Sequence, residues 1–138
     1  MDNTNIYINM CEKAIKIQNN WDFKSEFNIL YDIILKKVFL NVTLYVQGAK
    51  TDKKRYIWLP TQAQLQRMFI KNVKCSNCRS EVFRCVFDLS SFYNGYYKYC
   101  SQFTSMEQIW LAYVMFNNYQ KQWNGKDWIN ENEYHKNK

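Results

Sequence analysis

The spacing of apolar residues changes repeatedly along this chain, and each change predicts an element. Ile6, Met10, Ala14 and Ile17 recur three or four residues apart, with Cys11 and Ile15 beside them. That period predicts an amphipathic helix. Asp2, Asn3 or Thr4 would cap its start, and Asn19-Asn20 would end it. From Phe27 the period becomes two. Phe27, Ile29, Tyr31 and Ile33 alternate with other residues, as do Val38, Leu40, Val42, Leu44 and Val46. Two strands are expected, joined near Lys36-Lys37. Gly48 to Arg55 reads as a polar basic loop, and Tyr56 to Leu59 as a third short strand.

Pro60 stops that strand, and Thr61-Gln-Ala-Gln64 has the form of a capping box. Leu65, Met68 and Phe69 supply the apolar face of the helix it opens, with Trp58 as a further core residue. Residues 71–79, KNVKCSNCR, form a polar connection. Val82, Phe83, Val86 and Phe87 predict a helix of about three turns reaching to about Ser90, and Phe83, among the basic residues, could stack on a base if exposed. SSFYNGYYKYCSQF reads as irregular and aromatic. Thr104-Ser-Met-Glu107 is a second capping box, before Met106, Ile109, Trp110, Tyr113, Val114 and Phe116. Leu111 and Met115 fill its other sides, so this helix is expected at the centre of the core. Gly125 would end it in the left-handed conformation, and Trp128 would tuck back. The expected fold is a single α+β domain over residues 1–129. It has a small antiparallel sheet of two or three strands covered by about four helices. A flexible polar tail is expected over 130–138.

Composition adds a charge map. The net charge is +7, and residues 50–84 hold nine Lys or Arg against Asp52 and Glu81. The chain on either side is balanced. The candidate contact residues are therefore Lys50, Lys53, Lys54, Arg55, Lys71, Lys74, Arg79 and Arg84, with Gln62, Gln66 and Arg67 on the outer edge of the middle helix. Such a stripe suits an acidic protein surface, a nucleotide or a nucleic-acid backbone; it is also what a solvated loop and helix face look like. Tyr93, Tyr96 and Tyr97, with Tyr99, cluster around Gly95. Tyrosine is favoured at interfaces, and a loop packed over the core is the plainer reading.

Other chemistry is sparse. Cys75-Ser-Asn-Cys78 has the spacing of half a zinc knuckle. The remaining ligands would have to come from Cys85 and Cys100 or from His135, and neither pairing has a recognised spacing. Cys11 and Cys85 sit on apolar faces and read as core. No cofactor is expected, zinc at Cys75 and Cys78 being the alternative. The lone His135 falls in the tail, and the three glycines form no phosphate cradle, so no enzymatic activity is expected. No apolar run is long enough to span a bilayer, and the first residues do not form a secretory signal. An intracellular protein with no membrane partner is expected.

Four patches, in order, carry a resemblance: CEKAIKIQ at 11–18, WLPTQAQLQ at 58–66, MEQIWLAYVM at 106–115 and WNGKDW at 123–128. Together they resemble a group of small accessory proteins of phages and prophages of Firmicutes, with the pattern CEKAxxIQ, WLPxQxQLQ, MEQxWLAxVM and WNGxDW. The abundance of Asn and Lys, 16 and 15 residues, fits an AT-rich source. The resemblance implies a protein of the bacterial host cytoplasm. Its expected role is to inhibit host defence, for example a CRISPR–Cas effector, by stoichiometric protein binding. The partner would be the defence complex, with its guide RNA or DNA as the alternative. The basic loop 50–55 and CSNC depart from the pattern, as does the absence of an acidic residue near Gln62 and Gln64. An inhibitor that mimics DNA would be acidic, and this chain is basic.

Overall fold

The computed structural model describes residues 2–20, 28–40, 53–72 and 78–130. The fold is α+β, with six helices, a three-stranded antiparallel sheet and a two-stranded one among the described residues. The chain divides into two compact units, Met1–Thr61 and Gln62–Lys138.

In the first unit, α1 (Asn5–Lys13) starts at Thr4, whose Oγ1 accepts from the Tyr7 N–H at 3.2 Å. This satisfies one of the donors that a helix start leaves unpaired. Tyr7, Met10, Cys11, Ala14 and Ile17 are buried. The expected single helix is interrupted at Ala14, whose ψ of 62° is not helical, and resumes as α2 (Ile15–Asn19). Ile6 and Ile15 are exposed, against the expected face.

Strands β1 (Ile29–Asp32), β2 (Lys37–Leu40) and β3 (Tyr56–Trp58) pair in the order β2-β1-β3. The Gln18 side chain closes the outer edge of β3. Its Oε1 accepts from the Trp58 N–H at 2.9 Å, and its Nε2 donates to the Trp58 carbonyl at 2.9 Å and to that of Cys11 at 3.0 Å. One carboxamide thus answers both polar groups of an edge residue that would otherwise go unpaired. The Tyr7 hydroxyl donates to the Pro60 carbonyl, tying α1 to the end of β3.

In the second unit, α3 (Gln62–Asn72) follows directly on Thr61, with Leu65 and Phe69 buried. Helix α4 (Cys78–Gly95) is longer than expected, and α5 (Tyr97–Cys100) replaces the irregular aromatic segment. Helix α6 (Met106–Tyr119) packs against α3 and α4 and buries Gln108 and every residue from Trp110 to Met115. Burial of this kind contributes about 1.5–3 kcal/mol for each large apolar side chain. Its cap lies one residue beyond the expected Thr104: Ser105 Oγ accepts from the Gln108 N–H at 3.2 Å, and Gln108 Oε1 accepts from the Thr104 N–H at 3.1 Å.

Helix α6 ends before Trp123-Asn124-Gly125. Gln120 takes the left-handed position, φ 52°. Residues 121–130 form an unexpected hairpin of β4 (Lys121–Trp123) and β5 (Trp128–Asn130). Gly125, φ 97°, serves its turn, a conformation that glycine adopts without steric cost. Asn124 Oδ1 accepts from the N–H groups of Lys126 and Asp127, a side-chain turn that fixes the bend. Trp128 does tuck back, its ring 5.2 Å from that of Trp123. The expected tail lies outside the described residues apart from Asn130, which is in β5.

Candidate functional site

Helix α4 has two apolar faces. Cys85, Leu89 and Phe92 are buried. Phe92 packs on Tyr113 and Phe116 of α6, with centroids 5.1 and 5.2 Å away. Tyr96 joins the same cluster, 4.8 Å from Phe116. Nearly opposite, Phe83, Val86 and Phe87 are 81%, 57% and 72% exposed. At about 100° per residue the two faces have the same helical spacing, so periodicity alone does not choose between them. The choice falls to the face that continues into Tyr96 and Tyr99, and that continuation exists because the helix does not stop at Ser90.

The exposed face extends further. Tyr93 lies seven residues beyond Val86, on the same side of the helix. Its ring meets that of the exposed Tyr97 edge-on at 5.9 Å. Phe83, Val86, Phe87, Tyr93 and Tyr97 thus form an aromatic ridge, of which Phe83 to Tyr93 spans about 15 Å of helix. Arg84 stands on its shoulder, 3.6 Å from Asp88. The tyrosines singled out from sequence therefore divide. Tyr93 and Tyr97 join the ridge, whereas Tyr96 and Tyr99 belong to packing. Tyr99 is buried, and its hydroxyl accepts from the Trp123 N–H at 2.9 Å.

The basic stripe is continuous in sequence but divided between the two units. Arg55 is not an outward-facing, uncommitted residue. It donates to Asp32 Oδ2 from Nε at 2.9 Å and from an η nitrogen at 2.7 Å. Lys54 and Arg67 are exposed, and Gln62 and Gln66 are half-buried. Lys50, Lys74 and Cys75 lie outside the described residues. Only the backbone is described for Lys53, Lys71, Cys78 and Arg79.

Among the described residues, no three Cys, His, Asp or Glu side chains gather to hold a metal. Cys11, Cys85 and Cys100 are buried and not in disulfides. Burial pushes the Cys11 thiol well above its ordinary range and that of Cys100 to about 11, so both stay protonated and unreactive at neutral pH. Burial likewise pushes the Tyr113 hydroxyl up to about 12, with the Asp88 carboxylate adding to the rise. Among the described residues no helix is long and apolar enough to cross a membrane. No protein-family model, curated protein or solved structure matches this chain.

Proposed function

We propose that this chain is a phage accessory protein that inhibits a host defence complex in the bacterial cytoplasm by stoichiometric binding. The observation that carries the reading is the α4 ridge. Exposed Phe83, Val86 and Phe87 sit at the i, i+3 and i+4 positions that a helix uses to enter a partner's groove. Aromatic anchors of this kind dominate binding energies. The net charge of +7 favours an acidic partner surface around that groove. The resemblance to phage accessory proteins supplies the biological setting.

The test is plaque formation on hosts carrying a panel of defence systems, CRISPR–Cas effectors included. The wild-type chain is expected to restore plating in at least one system. The double variant Phe83→Asp/Phe87→Asp is expected to lose that protection while keeping its circular dichroism and melting temperature. Equal protection by the variant overturns the interface, and no protection in any system overturns the function. The competing nucleic-acid reading predicts salt-sensitive RNA or DNA retention that Lys53→Ala/Lys54→Ala abolishes. Arg55 does not belong in that variant, because its removal also deprives Asp32 of its partner.

A further inference from the structure

The first unit contains a cleft that neither the ridge nor the basic stripe uses. Its volume is about 680 Å³, and it is open to solvent, with Asn3, Asn5, Lys36 and Lys37 exposed along it. Lys36, in the turn before β2, and Lys37, its first residue, are among the lining residues. Neither has an ion-pair partner among the described residues, and no acidic side chain lines the cleft. Asp32, the nearest carboxylate in sequence, does not neutralise them. Its Oδ2 is held by Arg55, and its Oδ1 accepts from the N–H groups of Ile34 and Leu35 at 2.8 and 3.0 Å.

The same contacts set the turn that carries the lysines. Lys36 donates its N–H to the Asp32 carbonyl at 2.8 Å and takes the left-handed conformation, φ 55°. Glycine or asparagine would fit that backbone with less strain, yet a lysine stands there. The cleft is also lined by the exposed Asn3 and Asn5, whose carboxamides have no hydrogen-bond partner among the described residues. Half-buried Tyr31 adds a flat ring, with Ile8 and Val38 as apolar lining.

We propose that this cleft binds a phosphate-bearing ligand of nucleotide size, with its phosphate between Lys36 and Lys37 and its base against Tyr31. Two lysines lining one depression with no carboxylate beside them offer the positive charge that phosphate seeks. The cleft is larger than a bare phosphate needs. The ring offers stacking, and the amides offer paired donors and acceptors to a base edge. A free nucleotide and a single-stranded RNA share this chemistry. The proposal does not depend on what α4 binds.

The experiment is a titration of the full chain at low salt with AMP, ATP and a short single-stranded RNA, followed calorimetrically. At least one probe is expected to bind, and Lys36→Gly/Lys37→Gln is expected to weaken it at least about tenfold. Glycine at 36 suits the backbone, so that variant removes charge without straining the turn. Lys98→Gln/Lys126→Gln removes the same charge from exposed positions of the second unit and is expected to leave binding unchanged. Binding of a mononucleotide assigns the cleft to a free nucleotide; binding of the RNA alone assigns it to a strand. Absence of binding by all probes overturns the proposal, as does undiminished binding by the Lys36/Lys37 variant. Equal weakening by the two double variants also overturns it, because it would reveal only bulk charge.

Discussion

Helix α6 buries Trp110, Leu111, Ala112, Tyr113, Val114 and Met115 in succession, whereas α4 buries Cys85, Leu89 and Phe92 and leaves Phe83, Val86 and Phe87 in water. Both helices are rich in apolar residues. They differ in their neighbours: α6 lies against α3, α4 and β4, and α4 takes its described contacts from α3, α5 and α6 without covering the ridge. Hydrophobicity sets what a residue gains from burial, and the surrounding elements decide whether burial happens. An apolar residue that the fold does not bury adds little to stability and risks aggregation. A helix that keeps several such residues on one line thus has a face that folding does not account for.

The sharpest way to break the comparison is Trp110→Ala. It should cost about 3–5 kcal/mol in urea unfolding, since Trp110 is almost wholly buried. A loss below about 1 kcal/mol would mean that α6 is not the core. Leu89→Ala tests the inner face of α4 and should cost about 2–5 kcal/mol by the same measurement. A negligible cost there would reverse the assignment of the two faces. Phe83→Ala/Phe87→Ala should change stability by no more than about 0.5 kcal/mol. If it instead destabilises as Leu89→Ala does, the ridge is part of the core and the proposed interface falls.

The elements that were legible from sequence are those whose pattern and local chemistry agree. Period two marked β1 and the described start of β2, while Val42, Leu44 and Val46 of that expected strand lie outside the described residues; Pro60 separated β3 from α3, and the all-round apolar segment after Ser105 gave the central helix. Thr4 was among the three caps expected for α1, and Cys11 and Cys85 are buried as read. What was missed turned on choices made at a distance. Gly125 suits a helix end and a hairpin turn equally; Gln120 had already ended α6 in the left-handed conformation, which left Gly125 for the hairpin. The orientation of α4 depended on Phe92 finding Tyr113 and Phe116. Of the candidate site, Tyr93 and Tyr97 were legible, because tyrosines near a glycine invite attention. Phe83 was open to reading as a stacking aromatic because it stands among basic residues, whereas the exposure of Val86 and Phe87 was not legible, because apolar residues at helical spacing ordinarily mean core. Arg55 looked like part of a charge run, and only the pairing of β3 with β1 brought it to Asp32.

That pairing also makes the turn between β1 and β2 a matter of acidity. The hydrogen bonds from Arg55 hold the Asp32 carboxyl below its ordinary value of 3.8 against the opposing effect of burial, with the Leu35 and Ile34 amides assisting. A depressed folded value means that the ion pair's contribution is complete at neutral pH. It begins to be lost as pH falls below about 3.8, where the unfolded chain takes up the proton first, and is gone once the folded carboxyl titrates as well. The turn carrying Lys36 and Lys37 should therefore stay set through the mildly acidic range. Hydrogen exchange at the Ile34 and Leu35 amides should accelerate, beyond its intrinsic pH dependence, only in strong acid.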